Sequence, residues 1–163
     1  MNIIIKKHFL LYKGYKLKCS IGKSGLTHSK KEGDLATPKG MFMFGPLYYR
    51  KDRNKSLKCK IRKRVIKKSM GWCDDIHYPS KYNRLIKINN KIKHEKLKRN
   101  DYKYDLLIPI NYNIKNPVVG LGSCIFIHLT KDYKPTAGCI ALKKNDFLIM
   151  LKLIKKNSKI KIS

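Results

Sequence analysis

The sequence predicts a mainly β fold, an antiparallel sandwich or barrel with a single α-helix near the C-terminus. Three observations predict it. Short apolar or alternating runs recur along the whole chain between glycine, proline and asparagine punctuation, as in Ile3–Ile5, Phe9–Tyr12 and Ser123–Leu129. A helical apolar stripe occurs once, at Phe147, Met150, Leu151 and Ile154. Finally, 163 residues at 42% hydrophobic content suit one core and one domain spanning 1–163, with no Gly/Ser linker or repeat to divide it.

Taken in order, Ile3–Ile5, Phe9–Tyr12 and Tyr15–Ile21 read as strands, with Lys13-Gly14 as the turn joining the last two. Gly22 to Gly40 is polar and glycine-punctuated, which suits an ordered loop. Phe42–Phe44 and Leu47–Arg50 are short strands around Gly45-Pro46. Leu57–Arg62 alternates apolar and basic residues as a half-buried strand does, with Val65-Ile66 as its continuation. Gly71 to Arg84 reads as a loop, Leu85–Ile88 as a strand, and Lys93–Arg99 fits either a short helix or a charged loop. Tyr104–Ile110 and Ser123–Leu129 are the strongest strand patterns. The helix is expected over Asp146 to about Lys156, capped by Asn145, with Lys159–Ile162 a final strand.

The net charge of +29 is extreme, and a basic surface is the electrostatic footprint of nucleic-acid binding. Yet 33 of the 39 basic residues are lysine, whereas base and phosphate readers lean on the bidentate arginine fork. Lysine, with 20 isoleucines and 11 asparagines, is what A/T-rich codons encode, so no nucleic-acid partner is expected. The surface still favours approach to a polyanionic polymer, including one rich in carboxylates. Five cysteines are an odd count without a CxxC or regular spacing, so they leave the redox compartment open. No run approaches the roughly 18–20 apolar residues of a transmembrane helix. The N-terminal Met1–Gly14 has lysines at 6 and 7 and no small-residue cleavage site, so it reads as a strand pattern rather than a secretory signal.

One stretch carries chemistry. Thr136-Ala137-Gly138-Cys139-Ile140 follows His128 by eleven residues, and His128 closes the apolar run Cys124–His128. The thiolate is the reacting form of cysteine, and a free thiol near neutral pH is mostly protonated, so a neighbouring imidazole is the natural proton acceptor. A hydroxyl-small-Gly approach lets backbone N–H groups, here around Gly138, come close to a reacting carbonyl as oxyanion donors. Singly, a buried cysteine is more often a small core residue and a strand histidine a packed one. The combination favours thiol acyl transfer.

With these residues the sequence resembles the L,D-transpeptidase catalytic domain, the YkuD-like family. The signature is a strand-end histidine followed by Ser/Thr-x-Gly-Cys, here His128 and Thr136–Cys139. Ala36-Thr37-Pro38-Lys39-Gly40-Met41-Phe42 looks like the family's Thr-Pro-x-Gly-x-Phe segment. Gly71-Trp72-Cys73-Asp74-Asp75, Tyr82-Asn83-Arg84 and His94-Glu95 resemble short, stand-alone bacterial members. The resemblance covers essentially the whole chain. It implies an L,D-transpeptidase-like β-sandwich that cross-links peptidoglycan stem peptides through a cysteine thioester. Cys139 is then the nucleophile, His128 the proton donor and acceptor, Gly138 a backbone oxyanion donor, and Thr136 a loop-positioning residue. Trp72, Arg84 and His94 are weaker candidates for substrate contact.

Two positions depart from the family pattern. Leu129 stands where many members have glycine after the histidine. Ala141 stands where many have arginine two residues after the cysteine, and Arg84 or a lysine near the mouth is the candidate replacement cation. Two other outcomes stay open: an L,D-carboxypeptidase or amidase that hydrolyses the same acyl-enzyme, or a non-catalytic basic binding module. Cys73-Asp74-Asp75-Ile76-His77 has ligand-type residues without a second half-site, so no metal is expected, and turn capping or ammonium recognition suits the aspartates. Without a Walker A or GxGxxG pattern, no nucleotide cofactor is expected. The implied substrate places the protein in the cell envelope or periplasm, while the unsignalled N-terminus also fits the cytoplasm.

Overall fold

The computed structural model describes residues 2–163. The chain opens with an antiparallel meander of β1 (Ile3–Lys6), β2 (Phe9–Tyr12) and β3 (Tyr15–Ser20). Lys13 and Gly14 both hold positive φ, 47° and 83°, as a two-residue hairpin turn of matching twist requires. Then follow β4 (Leu26–Thr27), β5 (Thr37–Pro38), β6 (Gly40–Met43), β7 (Leu47–Tyr49) and β8 (Lys63–Val65). β9 (Met70–Cys73), β10 (Leu85–Lys87), β11 (His94–Lys96) and β12 (Leu106–Pro109) lead to β13 (Phe126–Leu129) and β14 (Ile140–Leu142). The chain closes with α1 (Lys144–Leu153) and β15 (Lys159–Ile162).

Ten strands make one sheet in the order β6-β15-β1-β2-β3-β14-β13-β12-β7-β8. Phe44, just past β6, bridges Ile110, just past β12, so the sheet curls until that edge meets the end of its eighth strand. β10-β9-β11 form a separate antiparallel sheet. Most pairs are antiparallel, as expected for a curled sandwich, but β13 and β14 run parallel, with Ile127 opposite Ile140 and His128 opposite Ala141.

The side-chain period of two divides β12, β13 and β14 between two cores. Leu106, Ile108, Ile127, Leu129, Ile140 and Leu142 face the larger one, with β1–β3, β15 and α1. The helix supplies Phe147, Met150, Leu151 and Ile154 to it, the stripe its spacing predicts. Leu107, Phe126 and Cys139 face the smaller core, with Tyr48, Trp72, Leu97 and Tyr104. These strands are buried on both faces, which is why they read as continuous apolar runs.

Several local expectations differ. Lys93–Arg99, expected as a short helix or a charged loop, contains strand β11, which exists through its pairing with β9. The helix starts at Lys144 with Lys143 as its N-cap and no side-chain cap, so Asn145 lies inside the first turn. Packing of the apolar stripe decides that boundary over capping preference. Residues 57–62 keep their alternating burial but have only one bridge, Lys60 to Lys155, and the ladder with β7 starts at Lys63; alternation reports facing, not pairing. Gly71–Cys73, expected as the start of a loop, belong to β9, the central strand of the small sheet. Its glycine belongs there because a Cβ on Gly71 would sit 2.7 Å from the His94 ring.

Candidate active site

Cys139 ends the loop that enters β14, and His128 lies on β13, the neighbouring strand. Both line one cavity of about 480 Å³, together with Thr136, Ala137, Ala141, Tyr104, Glu95 and Arg99 among others. The parallel register makes this juxtaposition. His128 lies opposite Ala141, so Cys139, two residues earlier, projects to the same face.

The loop is pinned from two sides. Thr136 Oγ1 donates to the Cys139 carbonyl (2.5 Å) and accepts the Gly138 N–H (3.1 Å). From the distant Thr-Pro segment, Thr37 Oγ1 accepts the Gly22 N–H and donates to the Gly138 carbonyl, both at 2.8 Å. Gly138 has φ +139°, and a Cβ there would lie 2.9 Å from the Ala36 carbonyl oxygen. Glycine is thus required both by conformation and by close approach. Because the Gly138 N–H is engaged by Thr136, the Ala137 and Cys139 N–H groups are the backbone donors of this turn without a partner among the described residues, and the Cys139 N–H is the one at the thiol itself.

Burial favours the neutral forms of both Cys139 and His128. The Cys139 thiol is buried, donates to the Cys124 carbonyl at 3.1 Å and accepts the Phe126 N–H at 3.4 Å. Burial, then the Glu95 carboxylate, pushes its pKa up to about 12. His128 is also buried, and desolvation, with Lys103 and Arg99 adding to it, holds its pKa down to about 4. Its Nδ1 lies 3.0 Å from the Leu129 carbonyl. With the proton assigned to Nδ1 for that bond, Nε2 is left as a base. No hydrogen bond joins Cys139 and His128 among the described residues. The pair is therefore a thiol and a neutral imidazole sharing one cavity, not a preformed ion pair.

The other sequence candidates fall elsewhere. Trp72 does not line the cavity. Its ring packs edge-on against Phe126 and Tyr48, and its Nε1–H donates to Asn83 Oδ1 at 2.9 Å. Asn83 in turn accepts the Cys124 N–H and donates to the carbonyls of Tyr112 and Asn113, so the Trp and Tyr-Asn-Arg segments meet in a structural hub. Arg84 is exposed and outside the cavity; the cations that line it are Arg99, Lys103 and Lys134. His94 faces away, its Nδ1 2.6 Å from the Ile92 carbonyl. Its neighbour Glu95 lines the cavity instead, because successive strand residues face opposite sides. Asp75 caps the His77 and Lys93 N–H groups, the turn role its position suggested.

Sequence reasoning missed Glu95, Tyr104 and Arg99 as cavity residues. The Tyr104 ring packs edge-on to His128 with centroids 5.4 Å apart, its hydroxyl donates to Glu95, and Arg99 lies over its ring at 5.0 Å. Only the His94-Glu95 dipeptide hinted at any of them.

A curled sheet that brings a Gly-Cys turn and a strand histidine into one cavity has the parts of a thiol acyl-transfer site. The chain belongs to the L,D-transpeptidase catalytic-domain (YkuD) family, whose profile matches residues 4–162. The family comprises cysteine-dependent acyltransferases that act on peptidoglycan peptides. Among solved structures, an L,D-transpeptidase from Mycobacterium smegmatis is similar at 12% identity and a TM-score of 0.43. The match covers 99% of this chain and 56% of that one. No curated protein sequence matches. No helix among the described residues is long and apolar enough to cross a membrane.

Proposed function

We propose that the protein is a peptidoglycan L,D-transpeptidase with Cys139 as nucleophile and His128 as the acid–base group. The observation that carries the reading is the shared cavity of Cys139 and His128 in a chain of this family. Cys139 Sγ attacks the carbonyl carbon of a diaminopimelate residue in a stem peptide while its proton passes to His128 Nε2. The tetrahedral oxyanion takes the Cys139 N–H. Collapse breaks the C–N bond to the terminal D-alanine, whose nitrogen receives the proton from His128, and a thioester remains. An amine of a second stem then attacks the thioester, loses a proton to His128, and releases the thiol with a new amide bond.

The high thiol pKa and low imidazole pKa mean that the nucleophile forms only as substrate arrives and the proton moves. Arg99 and Lys103 take the place of the arginine that Ala141 replaces, offering positive charge to substrate carboxylates at the cavity wall. Such a substrate places the protein in the cell envelope.

The test is intact-protein mass spectrometry with a stem tetrapeptide. Wild type gains the mass of the peptide less D-alanine, and Cys139→Ala gains nothing. Absence of any adduct on wild type removes the enzyme reading. Muropeptide dimers among the products establish transfer, whereas trimmed monomers alone establish a carboxypeptidase.

A further inference from the structure

The charge pattern of the cavity inverts that of the chain. Of ten acidic residues, four line it (Glu32, Asp74, Glu95 and Asp132), against three of the 39 lysines and arginines. Glu32 and Glu95 are the chain's only glutamates, and neither pairs with a cation among the described residues. Each is held by a buried tyrosine through one oxygen, Tyr82 to Glu32 Oε2 and Tyr104 to Glu95 Oε2. Arg99 is itself clamped by Asp101, whose carboxylate accepts both its Nε and Nη2. In a protein this basic, carboxylates on a cavity wall without a counter-ion call for a cation from outside.

Two further residues of the cavity wall hold buried polar atoms without a partner. Asp74 Oδ1 is buried without a hydrogen-bond partner, while Oδ2 lies 3.4 Å from the exposed Lys93. Ser123, 6% exposed and on the cavity wall, has an Oγ without a partner. The small sheet brings Glu95 and Asp74 to one face. Glu95 is registered with Trp72 across β11 and β9, and Asp74, two residues past Trp72, returns to that face.

We propose that Glu95 and Asp74 form a subsite for a primary ammonium group of a peptide substrate, with Ser123 as a further acceptor, beside the Cys139 thiol. It rests on the acyl-transfer reading above and specifies which end of the substrate that site selects. It also couples recognition to reactivity: the Glu95 charge opposes thiolate formation at Cys139, and an ammonium on Glu95 cancels that opposition as the substrate docks.

The experiment uses Cys139→Ala, which binds without turnover, and two stem tetrapeptides that differ only in a free or acetylated amine on the third side chain. Calorimetry at neutral pH is expected to show about tenfold tighter binding of the free amine, as a charge-assisted pair provides. Glu95→Gln in the same background abolishes that preference and Glu95→Asp retains it, with thermal unfolding confirming that both variants are folded. Equal affinity for the two peptides, or binding of neither, overturns the subsite. Incubation of wild type with the acetylated donor separates the two readings. A Cys139 adduct with no amine preference sinks the subsite alone, whereas an amine preference with no adduct from either peptide sinks the acyl-transfer reading alone.

Discussion

The two faces of β13 and β14 differ as sharply as two regions of one protein can. On one, Ile127, Leu129, Ile140 and Leu142 pack against α1 in a wholly apolar layer. On the other, one residue out of step, His128, Ala141 and the adjoining Cys139 line a cavity with carboxylates, one guanidinium and two lysine ammonium groups. The comparison teaches that stability and chemistry are separated by strand periodicity alone: one face is free to hold buried titratable groups because the other supplies the apolar burial.

The widest break between the faces is expected from Cys139→Ala. Acyl transfer falls by more than about 10³-fold while thermal stability changes little, since an alanine suits the smaller core; retained turnover in a cross-linking assay would contradict the nucleophile assignment. A comparably large effect separates Cys139 from an ordinary thiol. Its alkylation by iodoacetamide at pH 7 is expected to be at least about 100-fold slower than that of free cysteine and to rise toward pH 12, whereas a plateau below pH 8 would reveal a preformed ion pair.

On the apolar face, Leu151→Ala should cost about 2–5 kcal/mol in urea unfolding, with the rate per folded molecule unchanged; a specific loss of activity would show that the faces are not independent. His128 links them through pH. Its neutral form is favoured by burial, so its contribution is present above about pH 6.5 and is lost as pH falls toward 4. The drop should reach ~3 kcal/mol across that window and flatten in His128→Asn. The smallest effect is expected from Thr37→Val, about 1–3 kcal/mol for two buried hydrogen bonds, accompanied by a lower rate of adduct formation as the cysteine turn loosens.

The same periodicity explains what the sequence disclosed. The strand runs, the hairpin at Lys13-Gly14 and the helix stripe were legible because each is a local pattern of burial. Cys139 and His128 were legible as a spacing, and the β13–β14 register turns that spacing into a shared cavity. The remainder depended on partners far along the chain. The strand at Met70–Cys73 exists through pairing with β10 and β11, and its glycine disguised it as a loop. Arg84 and His94 were drawn in by neighbouring motif residues, but a one-residue offset sends Glu95, not His94, to the cavity. Trp72 is recruited by Asn83 eleven residues on. The Gly138 N–H, expected to face an oxyanion, meets Thr136 in this structure, a competition that the motif spelling does not reveal.

The hydrogen bond from Thr37 to the Gly138 carbonyl spans 101 residues of chain. Closing so long a loop costs conformational entropy, which the packing of the assembled sheet offsets. The cysteine turn therefore takes its working shape only once β14 has been made and has found the N-terminal segment. A nascent or partly folded chain holds Cys139 as an unrestrained thiol without a positioned base. The site thus depends on distant parts of the chain being folded together, so that activity reports an intact sheet.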